Sequence, residues 1–185
     1  MTDDFQAARE AFRQGQLLAY PTEAVFGFGC DPRNLDALQK LLAIKQRPQD
    51  KGLILLAADY SQLLPFVDDR AIPQQLRFAI FSQWPGFVTQ LLPAAASVPE
   101  ALRGAHDQIA VRITAFEPAR QLCKALGSAI VSTSANRSGE PALRDAAAVA
   151  EQFADELGWI MQQPTGGAER PSRIIDPMSQ RIIRE

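Results

Sequence analysis

Three cations fall at i, i+2 and i+6 in Lys45-Gln46-Arg47-Pro48-Gln49-Asp50-Lys51-Gly52. Held on a Pro-containing loop, Lys45, Arg47 and Lys51 can converge on one polyphosphate through charge-assisted hydrogen bonds. Lys45 alone also suits the negative end of a helix dipole, an account that serves Arg47 and Lys51 poorly. The pattern Gly-x-x-x-x-Gly-Lys-[Ser/Thr] is absent, so this is not a Walker loop. A second polar segment, Ser132-Thr133-Ser134-Ala135-Asn136, follows the apolar run Ala129-Ile130-Val131. Its hydroxyls and amide equip a strand end to bind oxygens, or else cap a helix or saturate a turn.

Two further segments join them. Tyr20-Pro21-Thr22-Glu23-Ala24 places Thr and Glu at the end of an apolar run, where ligand crevices of α/β sheets form. Phe26-Gly27-Phe28-Gly29 follows, with glycines that permit close backbone approach or simply sit in a tight strand. Thr165-Gly166-Gly167-Ala168-Glu169-Arg170-Pro171-Ser172-Arg173 is a glycine-containing cationic loop, or a flexible terminal one.

Other chemistries are excluded by what the chain lacks. Cys30 and Cys123 have no C-x-x-C spacing and sit among apolar neighbours, as buried small hydrophobes do. His106 is the only histidine and lies in a polar run, which argues against multi-histidine metal sites and a Ser-His-Asp triad. The acidic start Thr2-Asp3-Asp4 is unlike a secretory signal, and no apolar run approaches the ~20 residues of a membrane span. The expectation is a soluble cytoplasmic protein with no membrane partner. Its 185 residues, 46% hydrophobic, suffice for one domain over 1–185 with its own core.

The elements that must position these segments follow from periodicity. Phe5, Ala8 and Phe12 predict a first helix closed by Gly15, and Leu17 to Tyr20 a buried strand. Asn34 caps a helix through Lys45, with Leu35, Leu38, Leu41 and Leu42 on one face and Pro48 ending it. Strands are predicted at Leu53 to Ala57, Val88 to Leu92 and Ile109 to Ile113, the last with Ala110 and Arg112 on a polar face. Helices are predicted at Pro73 to Ser82, Pro118 to Leu126 and Asp145 to Leu157, with strands at Ala129 to Val131, Trp159 to Met161, Ile174-Ile175 and Ile182-Ile183. Helices alternating with some directly joined strands give an α/β chain of α+β type, its sheet mixed rather than purely parallel.

Taken in order, the polar segments resemble the YrdC family, and within it the short bacterial branch of threonylcarbamoyl-AMP synthases. Tyr20-Pro-Thr-Glu-Ala, Phe26 to Pro32, Lys45-Gln-Arg-Pro48 with Lys51-Gly-Leu53, Trp84-Pro-Gly86, Ile109 to Thr114, Ser132 to Asn136 and Pro171-Ser172 carry the resemblance. It implies a twisted mixed sheet flanked by helices around a concave, positively charged cleft. It implies a nucleotidyltransferase that converts L-threonine, bicarbonate or CO2, and ATP into threonylcarbamoyl-adenylate and pyrophosphate. That product feeds the N6-threonylcarbamoyladenosine modification of tRNAs reading codons that begin with A, through downstream transferase proteins.

By matching position, Lys45, Arg47 and Lys51 would hold ATP phosphates and do the catalytic work. Asn136 would face the nucleotide, with Arg144 and Arg184 as further nucleotide contacts. Thr22, Arg112, Ser134 and Ser172 would contact threonine, Arg112 through its carboxylate. Leu56 stands where longer relatives carry a threonine-side histidine, so threonine must be held differently here. Their extra C-terminal domain has no counterpart. Mg²⁺ would arrive with ATP, because no cluster of carboxylates marks a protein-held metal site. The rivals are a non-enzymatic module for double-stranded RNA or tRNA, and another carbamoyl- or adenylyl-transfer enzyme of the same fold.

The overall charge of −2 speaks against a globally basic nucleic-acid binder. Fifteen arginines against four lysines fit bidentate phosphate and carboxylate recognition, or equally GC-rich codon usage. Distribution is more telling: Arg33 to Lys51 holds five cations and two acids.

Overall fold

A computed structural model describes residues 5–46 and 51–185. Helix α1 (Gln6–Arg13) buries Ala8, Ala11 and Phe12. It leads into β1 (Leu17–Pro21), every residue of which is buried. Next comes β2 (Phe26–Gly29), which periodicity left open as a tight strand. Gly29 decides it, since a Cβ there would stand 2.5 Å from the Val131 carbonyl oxygen. Only a residue without a side chain lets the two strands lie this close.

Helix α2 (Leu35–Lys45) starts where Asn34 Oδ1 accepts the Ala37 N–H at 3.0 Å. Leu38, Leu41 and Leu42 are buried, but Leu35 is 56% exposed, contrary to the expected stripe. It is the first helical residue, beside the exposed Arg33 and Asp36, and no facing layer covers it. The helix ends at Gln46 in a left-handed conformation, φ 49°. Pro48, the expected stop, lies outside the described residues.

The chain continues with β3 (Ile54–Ala57), α3 (Gln74–Phe81), β4 (Val88–Pro93), the short α4 (Glu100–Arg103) and β5 (Gln108–Ile113). Helix α5 (Glu117–Leu126) closes on left-handed Gly127. Strand β6 (Ile130–Ser134) reaches further than the apolar run, because Thr133 and Ser134 pair with Phe28 and Gly27. The Ser/Thr segment is therefore largely strand. Helix α6 (Ala146–Phe153) is capped by Asp145 and stops short of the expected Leu157. A 3-10 turn follows, and Leu157 instead opens β7 (Leu157–Ile160), where it pairs with Leu17. Sheet pairing outweighs helical periodicity there. Strands β8 (Arg173–Asp176) and β9 (Arg181–Arg184) end the chain as a hairpin.

Among the described residues the strands form one nine-stranded sheet in the order β7-β1-β2-β6-β3-β5-β4-β8-β9. It is mixed, as expected: β1–β7, β3–β5 and β4–β8 run parallel and the other neighbours antiparallel. Successive strand residues face opposite sides, so Leu55 and Val131 enter one apolar layer while Leu56 and Ile130 enter the other. Helices α2 and α6 cover the first layer, α1 and α5 the second. The second layer draws its strand residues from β1, β3, β6 and β7 and takes none from β5, β4, β8 or β9, which leaves that part of the face for polar chemistry.

The β8–β9 turn is built around Asp176. Its carboxylate accepts N–H bonds from Met178 and Ser179, the Ser179 hydroxyl at 2.6 Å and the Gln108 amide at 3.1 Å. Partial burial works to raise its pKa, but these donors outweigh it and hold the value below the ordinary 3.8. The ionised form is the one the fold favours, so its contribution is complete above 3.8 and fades as pH falls through the lowered value. Asp176→Ala should cost about 1 kcal/mol at neutral pH, a Tm loss of roughly 2–4 °C. Thermal melts across pH should show the gap to the parent closing in acid; a gap independent of pH would refute the assignment.

Candidate active site

Lys45, the last residue of α2, is only 3% exposed. Its ammonium donates to the Ser134 carbonyl at 2.5 Å, to Asn136 Oδ1 at 2.7 Å and to Ser134 Oγ at 3.3 Å. Ser134 Oγ itself donates to Asn136 Oδ1 at 2.7 Å, and Asn136 Nδ2 donates to the Glu140 carbonyl at 2.6 Å. The same segment also holds the lysine backbone, since the Ser138 N–H donates to the Lys45 carbonyl at 2.9 Å. Three residues singled out from the sequence, Lys45, Ser134 and Asn136, thus meet in one network. Arg47 lies outside the described residues. Lys51 is exposed, its backbone bridged to Gly104 beyond α4.

A second cluster forms around Arg112 on β5. It lies on the face opposite Ile109, Val111 and Ile113, as alternation predicts, yet it is only 4% exposed. Burial is tolerated because Arg112 Nη1 pairs with Glu23 Oε1 at 2.8 Å, and the Phe87 ring lies 5.2 Å from its guanidinium carbon. Thr114 Oγ1 donates to the same Glu23 oxygen at 3.0 Å. Glu23 Oε2 and Arg112 Nε remain buried without a protein partner. The sequence pointed to Glu23 and Arg112 separately; their pairing spans 89 residues and left no local signal. Thr114, which ends the Ile109 to Thr114 segment, was not picked out.

Thr22 stands next to this pair. Its hydroxyl donates to the Val25 carbonyl at 2.7 Å, fixing a turn at the end of β1. The 165–168 loop lies against it: the Gly166 and Ala168 N–H groups donate to the Thr22 and Glu23 carbonyls at 3.0 and 2.8 Å. Arg144 Nη2 reaches the Glu169 carbonyl at 3.3 Å and so contacts that loop. The Tyr20 to Ala24 and Thr165 to Arg173 segments are one neighbourhood.

Ser172 and Arg184 form a third cluster. Arg184 donates twice to the Ser172 carbonyl, at 2.7 and 3.0 Å, and once to its Oγ at 3.2 Å. Burial lowers the Arg184 pKa, and the positive charge of Arg112 lowers it further. Two guanidiniums 72 positions apart in sequence therefore feel one another, an arrangement that favours an anion beside them. Leu56, in register with Arg112 on β3, is fully buried in the apolar layer of Ile130 and Leu122. No nucleophile competes with this charge-based chemistry among the cysteines, because burial pushes the Cys123 thiol up to about 12 and raises Cys30 as well.

The Sua5/YciO/YrdC family model, described as telomere recombination, matches residues 10–185. The chain belongs to this family. Threonylcarbamoyl-AMP synthase of Idiomarina loihiensis is 57% identical over 185 residues, covering 100% of this chain and 99% of that one. The enzyme of the same name from Pseudoalteromonas translucida is 47% identical over 178 residues, covering 96% and 95%. Among solved structures, P. abyssi Sua5 complexed with L-threonine superposes with a TM-score of 0.83 at 33% identity. That match covers 91% of this chain and 49% of the other, so this chain spans about half the length of that Sua5. E. coli YciO matches with a TM-score of 0.79 at 25% identity, over 96% of this chain and 86% of the other.

Among the described residues Glu23 is the only ion-pair partner of Arg112, so removing it would leave that buried charge unpaired there. Glu23→Ala is expected to destabilise the fold by about 3 kcal/mol or more, read as a lower urea midpoint. A midpoint equal to the parent's would mean that the pair is not desolvated.

Proposed function

We infer that this chain is a threonylcarbamoyl-AMP synthase, making the adenylate and pyrophosphate from L-threonine, bicarbonate or CO2, and ATP. The observation that carries it is end-to-end identity of 57% with an enzyme of that name. The likeness to a Sua5 holding L-threonine supports the same amino acid here.

The chemistry needs no protein nucleophile. The threonine amine adds to CO2, releasing a proton and forming a carbamate. A carbamate oxygen then attacks the α-phosphorus of ATP, and the bond to the bridging oxygen breaks as pyrophosphate leaves. Both steps depend on bringing three substrates together and on neutralising phosphate charge. Lys45 supplies fixed positive charge at the end of α2; Arg47 and Lys51 are assigned with it to the ATP phosphates, and Asn136 to the nucleotide. Arg144 and Arg184 are assigned to the nucleotide as well. Thr22, Arg112, Ser134 and Ser172 are assigned to threonine, with the guanidinium of Arg112 toward its carboxylate.

Mg²⁺ is part of the substrate, carried on the ATP phosphates. Among the described residues no three or more His, Cys, Asp or Glu side chains gather as a metal site. The adenylate is an activated acyl donor, so a transferase acting on tRNA must consume it, which fits a cytoplasmic setting. Among the described residues no helix is long and apolar enough to cross a membrane. A purely RNA-binding module is not favoured, because the full-length relatives are named as enzymes.

The direct test is pyrophosphate release from ATP that requires both threonine and bicarbonate, with the adenylate identified by mass spectrometry. Its absence would refute the reading. Lys45→Ala should lower kcat ~10²-fold or more if it stabilises charge in the transition state. Arg112→Lys keeps a cation beside Glu23 but loses the planar fork, and should raise the threonine KM while sparing that for ATP. An unchanged threonine KM would remove Arg112 from the carboxylate role.

A further inference from the structure

The Trp84-Pro85-Gly86 motif takes no part in the site as described so far, yet the strand it introduces crosses the threonine side. The Gly86 N–H donates to the Ile113 carbonyl at 2.8 Å, the Phe87 ring lies under Arg112, and Thr89 is fully buried. Thr89 Oγ1 lies 2.8 Å from Ser172 Oγ. The register explains the contact: Thr89 pairs with Ile174, and Ser172, two residues before, shares the face of that residue. Ile174 in turn pairs with Arg184, and Thr89 and Arg112 are next in line after the Gln90–Val111 pair. Thr89 thus stands on one face between the two guanidiniums.

We propose that Thr89 is a positioning residue for threonine binding, acting through Ser172; this rests on the reading of Ser172 as a threonine contact. A hydroxyl oxygen accepts two hydrogen bonds and donates one. Arg184 Nη2 donates to Ser172 Oγ at 3.2 Å. The 2.8 Å contact fits either hydroxyl as donor; with Thr89 donating, both acceptor sites of Ser172 Oγ are filled and its own hydrogen is left for a ligand. Ser172 then acts toward the ligand only as a donor, which selects an anionic oxygen such as the carboxylate of an amino acid. The buried Thr89 has no solvent to bond instead, so its hydroxyl keeps this geometry.

The test is a double-mutant cycle of Thr89→Val, which replaces the hydroxyl with a methyl of similar volume, and Ser172→Ala. Threonine-dependent pyrophosphate release and Tm are measured for each variant, with Thr89→Ser as the conservative control. Thr89→Val should raise the threonine KM about three- to tenfold, the worth of one hydrogen bond, with the ATP KM within twofold. Thr89→Ser should stay within twofold of the parent, and the double variant should match Ser172→Ala alone. A parent that releases no pyrophosphate refutes the functional reading, and an unchanged threonine KM in Ser172→Ala refutes the Ser172 contact and the proposal with it. If Ser172→Ala raises that KM but Thr89→Val does not, or the two effects add, Thr89 does not act through Ser172. Equal losses for threonine and ATP with a lowered Tm would show a structural role only.

Discussion

A guanidinium in a buried place on a strand has to find its acceptors within the protein. Arg112 occupies such a place, and its pairing with Glu23 draws in much of what surrounds the site. Glu23 must lie at the end of β1 and be held there, which the Thr22 turn and the N–H groups of the 165–168 loop accomplish. Thr114 fills a second position on the same carboxylate oxygen, and Phe87 covers the guanidinium. Desolvating both charges is expensive, and in return their orientation is fixed before any ligand arrives.

Lys45 obeys the same rule at the other polar centre. Its ammonium is buried, so the end of β6 turns a carbonyl, a hydroxyl and an amide oxygen toward it. Both centres lie at or near strand ends, Lys45 against the end of β6 and Arg112 one residue before the end of β5. Reaction by proximity and charge suits such a scaffold: buried thiols of raised pKa and one exposed histidine offer no covalent route.

Much of the fold was legible because helix and strand periods differ so clearly. Asn34 and Gly127 marked helix ends through capping chemistry that acts within a few residues. Leu157 carries a helical pattern but joins a strand, where pairing with the distant Leu17 decides. Arg112 keeps the polar face that alternation gives, and only its burial depends on partners far along the chain. Strand β2 depends on Gly29 only because Val131 lies against it.

The site divides in the same way. Residue type and spacing singled out the segments of Lys45, Ser134, Asn136 and Thr22, since packing does not explain their charges and hydroxyls; Arg112, Ser172 and Arg184 came from the family resemblance by matching position. Sequence alone also set the chemical expectation: cations against phosphate and carboxylate oxygens. Only the tertiary structure paired Glu23 with Arg112, placed Thr89 against Ser172 and brought the Arg112 and Arg184 charges within reach. Hydrogen bonds and ion pairs act over a few ångströms, and strand register, not distance along the chain, sets which side chains come that close.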